Sequence, residues 1–314
     1  MNTVAKDRIC YVPEGSPLDA AGVVALRPRQ PWLGGKGAER LNFFEGVRES
    51  AGVFQLCRGS DLMLGWAEVS VTKGMTKATQ DLYCAMLEVA DGIHLYHIWN
   101  WVPAINARSS EGEDNYRLFC QGRAQGFEKF CGAGFEDRLP SASAVGHGGE
   151  SLMICFVGGR SPVDHLENPE QVPAWRYPRR FGPRSPSFAR ASVVQSSAGP
   201  LVWVSGTASI KGSETVCAGD FDGQVRTTLG NLDLIMKRAG KDLRRPAAGE
   251  SRHFRVYLRN RRNLERAREL TGGILAGTGN SVVWVEADIC RNELEIEIEL
   301  SAYPPGVSAP GTDC

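Results

Sequence analysis

The sequence has no excess of charge of either sign: 36 basic residues face 36 acidic ones in a chain of 314. A surface built for nucleic acid or an anionic membrane carries a net positive field. Nothing here asks for either partner, and an anionic ligand must be met by a local cluster. Long apolar runs are also missing. Stretches such as Leu201–Val204 fall far short of the roughly 18 residues of a membrane span, and the N-terminal segment lacks the apolar core of a secretory signal, so the chain reads as cytoplasmic. Its nine cysteines are scattered and odd in number, with no C-x-x-C pair or close His-Cys group. That argues against a zinc site and leaves most thiols reduced, several as small apolar residues. No P-loop, dinucleotide fingerprint or nucleophile elbow is present; Gly146–Gly149 and Gly272–Gly279 read as turns, and His94 and His97 as core rather than metal ligands. Aromatics make up only 8%, but 42% apolar residues suffice for two ordinary domains or one large one.

Residues 1–40, with Pro13, Pro17, Pro28 and Pro31, read as an irregular arm lying against the first domain. A first domain is expected over 41–150: strands near 52–56 and 63–69 joined by a polar turn, a helix over 78–89 with Leu82, Ala85, Met86 and Val89 on one face, an aromatic strand over 93–101, and a helix over 115–131. A connector over 151–187 follows, with a strand near 152–157 and a Pro/Arg-rich stretch. The second domain, 188–314, repeats the order: a hairpin over 191–195 and 201–210, a helix capped by Asp220 and ended by Gly240, a strand over 254–258, a helix near 263–275, and strands over 281–286 and 293–300. Two β-β-α-β-α halves, the second closing with extra strands, predict an α/β (α+β) fold with mixed sheets packed on helices, built by internal duplication.

Three stretches invite a chemical reading. In Glu293–Leu300 the strand period of two puts Glu293, Glu295, Glu297 and Glu299 on one face and aliphatic residues on the other. That is the pattern of a half-buried surface strand, yet carboxylates on one face repel, and one that is also desolvated stays protonated near neutral pH and serves as a general acid. The segment Tyr177–Arg190 holds four arginines between its tyrosine and its last residue, Arg179, Arg180, Arg184 and Arg190, stiffened by three prolines. Such a loop either clamps a dicarboxylate with its guanidinium forks or lies solvated against acidic surface. On the helix over 115–131, Tyr116 and Arg123 are seven apart and nearly on one face. Gly122 and Gly126 inside that helix are costly and imply close approach by a neighbour or a substrate.

Leu201–Ile210, the Gly219-Asp220 helix start with Gln224 and Asn231, and the closing Glu-Ile-Glu resemble the RidA/YjgF fold over about 188–303. Ile98–Asn106, Tyr116-Arg117 through Gly122-Arg123, Glu167-Asn168-Pro169 and Tyr177–Arg190 resemble the chorismatases, so the likeness runs from about residue 40 onward in two tandem RidA/YjgF-like halves. The resemblance implies cleavage of the enolpyruvyl side chain of chorismate with release of pyruvate, and no metal or organic cofactor. It makes Glu297 the acid that protonates the terminal methylene to give an oxocarbenium ion. It also implies that Tyr116, Arg123, Tyr177, Arg184 and Arg190, with Gly206 and Ala208, contact the substrate. In the branch forming 3-hydroxybenzoate a cysteine precedes the glutamate by seven residues, as Cys290 does here, and the reading leans to that product. That branch favours glycine where Ala208 stands, which weighs toward the alternative, water attack to a trans-dihydrodiol.

Two other classes compete. An imine deaminase shares the fold but relies on an arginine about fifteen residues before the strand glutamate, and the stretch 280–284 has none. A silent metabolite-binding module would bind without turnover. Small relatives of the fold form trimers, so a homotrimer or a monomer is expected.

Overall fold

The computed structural model describes residues 4–5, 8–16, 23–35, 37–110 and 112–307. Two seven-stranded mixed sheets dominate it. In spatial order the first runs Val4–Ala5, Gly46–Ala51, Phe54–Arg58, Leu62–Ser70, Ser151–Gly159, His94–Pro103 and Ser141–His147. The second runs Val163–Leu166, Ala191–Ser196, Gly199–Ala208, Ile296–Tyr303, Ser251–Leu258, Asn280–Glu286 and Trp32–Gly35. Helices α1 (Met75–Val89) and α2 (Asn115–Cys131) pack on one face of the first sheet, and α3 (Phe221–Arg238) and α4 (Leu264–Leu275) on one face of the second. No described helix is long and apolar enough to cross a membrane.

The expected duplication is present at the level of strand pairing. In each half a hairpin precedes the first helix, the strand after that helix runs parallel to the strand after the second, and the closing strand inserts antiparallel between hairpin and third strand. The first half therefore also has a closing strand. Ser151–Gly159, expected in the connector, lies inside the first sheet, and Ser141–His147, whose glycines suggested a turn, is its edge strand. A matching detail fixes the equivalence: His97 Nδ1 lies 2.7 Å from Ser141 Oγ across one parallel pair, and His253 Nδ1 lies 2.7 Å from Ser281 Oγ across the other.

The helix-free faces of the two sheets share one apolar core. Trp99, Trp101 and Val157 from the first half meet Trp203, Tyr257 and Tyr303 from the second. The N-terminal arm closes this core and is not irregular. Arg8–Tyr11, Val23–Leu26 and Glu39–Arg40 form a small sheet, Trp32–Gly35 pairs with Asn280–Glu286 of the second half, and Ile9, Tyr11, Leu26 and Leu41 enter the shared core. Prolines at turns between short strands are compatible with that pairing.

Helix ends and glycines follow local chemistry. Asp114 caps α2 by accepting from Arg117 N at 2.8 Å, and Asp220 caps α3 by accepting from Gly223 N at 2.9 Å, each satisfying an amide with no partner in its own helix. Gly122 and Gly126 are explained by α1 rather than by a ligand. A β-carbon at either would sit 2.7 Å from Thr79 Cβ or 2.6 Å from Tyr83 Cβ, so the glycines let α1 and α2 approach.

Candidate active site

The last strand begins at Ile296, so Glu293 and Glu295 lie in the loop before it, and the strand is buried on both faces. A half-exposed surface strand is thus ruled out. Ile296, Ile298 and Leu300 enter the helix-side core, while Glu297 and Glu299 point into the space between the halves at 4% and 6% exposure. Isolated buried carboxylates are expensive, and the two are treated differently. Glu299 accepts from Arg255 Nη1 at 3.1 Å and from Tyr257 Oη at 2.9 Å, and Arg255 also pairs with Glu39 of the arm. Glu297 has no hydrogen-bond donor on its carboxyl among the described residues, and it borders a cavity of about 500 Å3. Burial, then repulsion from Glu299, outweigh attraction to Arg190 and Arg259 and raise Glu297 to about 8. At neutral pH it is mostly the neutral acid.

The backbone opposite Glu297 is shaped to admit it. Ala208 is its register partner, and the ladder between Gly199–Ala208 and Ile296–Tyr303 shifts between Val204 and Thr207, a bulge that re-aims side chains. A β-carbon at Gly206, inside the bulge, would lie 2.8 Å from Glu297 Cδ, so any other residue there would push the carboxyl off this position. Ser205 ties the bulge down: its amide donates to Arg190 O at 2.9 Å, its hydroxyl donates to Ala189 O at 2.6 Å, and it accepts from Ala142 N of the first half at 2.8 Å.

Of the residues singled out from sequence, Glu297, Cys290, Tyr116, Tyr177, Arg190, Gly206 and Ala208 line this cavity together. Arg190, 7% exposed, donates to Tyr177 Oη at 2.7 Å and to Val172 O at 3.3 Å. Desolvation, and secondarily the Glu297 charge, push the Cys290 thiol up to about 12, so it is a thiol rather than a thiolate. Burial likewise holds the Tyr116 hydroxyl well above its ordinary value.

Two of the residues expected at the substrate, Arg184 and Arg123, are not among those lining the cavity. Arg184 does not reach the cavity. The turn Arg179–Phe181, ended by Gly182 at φ 146°, sends the chain outward, and Arg184 pairs with Glu128 on the surface at 3.0 Å. Arg123 is 1% exposed and is not among the lining residues, but its guanidinium lies 5.0 Å from the Phe119 ring and 5.7 Å from the ring of Phe188, which does line the cavity, and all three of its nitrogens lack a hydrogen-bond partner among the described residues. One cavity cation that sequence reasoning missed is Arg291. It lines the cavity, stacks 4.1 Å from the Phe181 ring and donates to Thr215 Oγ1 at 3.2 Å. Its position next to Cys290 was the available signal. Glu167 was noted only as part of a motif, yet it lies behind Arg190. It accepts from Arg190 N at 3.2 Å, and its carboxyl is raised by burial to about 7.

A half-open cavity with one neutral carboxylic acid, one thiol and arginines on its walls suits proton transfer to a bound polycarboxylate. The profile of the chorismatase FkbO/Hyg5-like N-terminal domain matches residues 45–158. A 3-hydroxybenzoate synthase of Streptomyces hygroscopicus is 36% identical over 246 residues, covering 74% of this chain and 71% of that protein. The chain belongs to the chorismatase family. A chorismatase of Streptomyces rapamycinicus is 31% identical over 253 residues, covering 77% and 75% of the two chains. A crystal structure of a chorismatase at 1.08 Å resolution superimposes with a TM-score of 0.79 at 25% identity, over 96% of this chain and 93% of that one. The domain profile ends at 158, inside the closing strand Ser151–Gly159 of the first half.

Proposed function

We propose that this protein converts chorismate to pyruvate and 3-hydroxybenzoate, with Glu297 as the proton donor. The observation that carries the proposal is the neutral, unbonded carboxyl of Glu297 facing the cavity with the Cys290 thiol on the same wall. Arg190 and Arg291 are the cations suited to the two substrate carboxylates, with Tyr177 and Tyr116 beside them.

In this scheme Glu297 delivers its proton to the terminal methylene of the enol ether, leaving an oxocarbenium ion. The bond between ring carbon and ether oxygen breaks, and its electron pair becomes part of the pyruvate carbonyl. The neighbouring ring hydroxyl attacks the carbon left behind and gives its proton to the Glu297 carboxylate, closing an epoxide and restoring the acid. In this reading the neutral Cys290 thiol protonates the epoxide oxygen as one C–O bond opens, and the ring proton lost on aromatisation returns to sulfur. Hydroxybenzoate and pyruvate together hold the atoms of chorismate, so this route consumes no water. Water attack instead adds one molecule and gives the dihydrodiol. The Ala208 methyl, opposite Glu297 in the ladder, is the feature that favours this second route.

Chromatography of products from purified protein and chorismate tests the proposal. Pyruvate with an equal amount of 3-hydroxybenzoate is expected, and Glu297→Gln abolishes both. Folded protein that releases no pyruvate sinks the proposal; ammonia released from an imine points to the deaminase class, and binding without turnover to a metabolite-binding module. The same reading has the protein working in the cytoplasm without a cofactor, as a monomer or homotrimer, which sedimentation distinguishes.

A further inference from the structure

Cys290 and Arg291 reach the cavity from loop 287–295, which has no regular secondary structure. A thiol whose placement decides between two products has to be held by something stiffer than its own backbone. The hydrogen bonds around it converge on Arg259, just beyond the strand Ser251–Leu258. Its guanidinium donates to the main-chain oxygens of Ile289 at 3.1 Å, Arg291 at 2.8 Å and Leu294 at 2.7 Å, and to Asp288 Oδ1 at 2.6 Å. Carbonyls on both sides of Cys290 are therefore tied to one rigid planar group.

The fifth bond crosses to the other half of the molecule. Arg259 Nη1 donates to Asn106 Oδ1 at 3.0 Å, and Asn106 Nδ2 donates to Ile289 O at 2.9 Å. Asn106 lies just after the strand His94–Pro103 of the first half, so both halves grip the carbonyl that precedes Cys290. At the loop's far end Gln224 of α3 donates to Glu293 O at 2.7 Å and accepts from Glu295 N at 2.8 Å.

We propose that Arg259 and Asn106 form an interdomain clamp that fixes the Cys290 thiol against the reacting ring and so sets the ratio of aromatic to hydrolysed product. Both are positioning residues that act through Cys290, and the inference rests on the reading of Cys290 as the group that steers the product. Once the epoxide has formed, its opening with Cys290 as acid followed by loss of the ring proton competes with capture of the opening ring carbon by water to the trans-diol, and misplacement of the thiol by about 1 Å changes such a contest by one to two orders of magnitude. The guanidinium is not replaceable by an ammonium: lysine keeps a positive charge near Glu297 but cannot span three carbonyls with a planar fork.

Arg259→Lys and Asn106→Ala, with Cys290→Ala as reference, are assayed for product ratio, for the pH dependence of pyruvate release, and for the rate at which iodoacetamide labels Cys290, read by peptide mass spectrometry. In Arg259→Lys the dihydrodiol-to-aromatic ratio rises on the order of tenfold, Cys290 labels faster, and pyruvate release keeps the wild-type pH midpoint because the charge is retained. Asn106→Ala moves ratio and labelling the same way by less, and decides alone if Arg259→Lys does not fold. A product shift in Cys290→Ala that neither folded clamp variant reproduces overturns the clamp. A Cys290→Ala enzyme with the wild-type ratio overturns the reading of Cys290 instead, and unchanged labelling in both variants then removes the clamp as well.

Discussion

In the first half the closing strand puts Met153 opposite Trp101 and Cys155 opposite Trp99; in the second, it puts Glu297 opposite Tyr257 and Glu299 opposite Arg255. The His97–Ser141 and His253–Ser281 pairs show that these positions correspond. The same site in the same fold thus holds a thioether and a thiol in one copy and two carboxylates in the other. The apolar version packs at no electrostatic cost. The charged version needs Arg255, Tyr257 and a carboxylate from the arm, Glu39, which burial pushes up but which Arg255 and His253 hold down at about 2. The fold does not require acids in a closing strand, so the two carboxylates of the second half call for a reason beyond folding, which the role proposed for Glu297 supplies. A depression of about 570 Å3 also borders Met153, lined by Arg27 and Arg29 of the arm, and it lacks a buried acid.

The sharpest way to break this comparison is to exchange side chains at the paired positions. Glu297→Gln removes the proton donor and should cut pyruvate release by about 10³-fold or more, whereas Met153→Leu should leave it within about twofold. Equal losses from the two would show that the halves are not functionally distinct. Next in size, Gly206→Ala pushes the Glu297 carboxyl off its position and should lower kcat by about 10²-fold in protein whose melting curve is little changed. Arg190→Lys, which loses the fork to Tyr177 and Val172, should raise KM by about tenfold with a smaller fall in kcat. Because Glu297 must be protonated to act, the rate should be level below its pKa of about 8 and fall as pH rises through that value. Glu299→Gln removes a neighbouring negative charge and should move this midpoint to lower pH; an unmoved midpoint would detach Glu299 from the site. Arg184→Ala, remote from the cavity, should change kinetics by less than about twofold.

What sequence could reveal here divides along the range of the interactions. Helix α2 was legible to its last residue because its cap, period and stop are all local, and Glu297 was singled out through the family motif. The burial of the last strand was not legible. A period of two says which residues share a face but not what covers it, and the cover comes from Trp99 and Ser143 in the other half and from Glu39 in the arm. The arginine-rich segment shows the same limit: its composition announced a cation cluster, but only the path of the chain around Gly182 separates Arg190, which enters the cavity, from Arg184, which leaves it. The arm read as irregular because its strands are two to four residues long and pair with partners far along the chain.

The parallel His-Ser pairs have a further consequence. In a symmetric assembly of identical chains every substitution appears in every copy, so a residue needed for chemistry in one place must be tolerated wherever that position recurs. Joining two copies on one polypeptide removes this constraint. Here the two copies share a hydrogen-bonded signature while the residues beside it differ, and the first half, with no acid at the matching positions, supplies through Asn106 and Tyr116 part of the wall around Glu297.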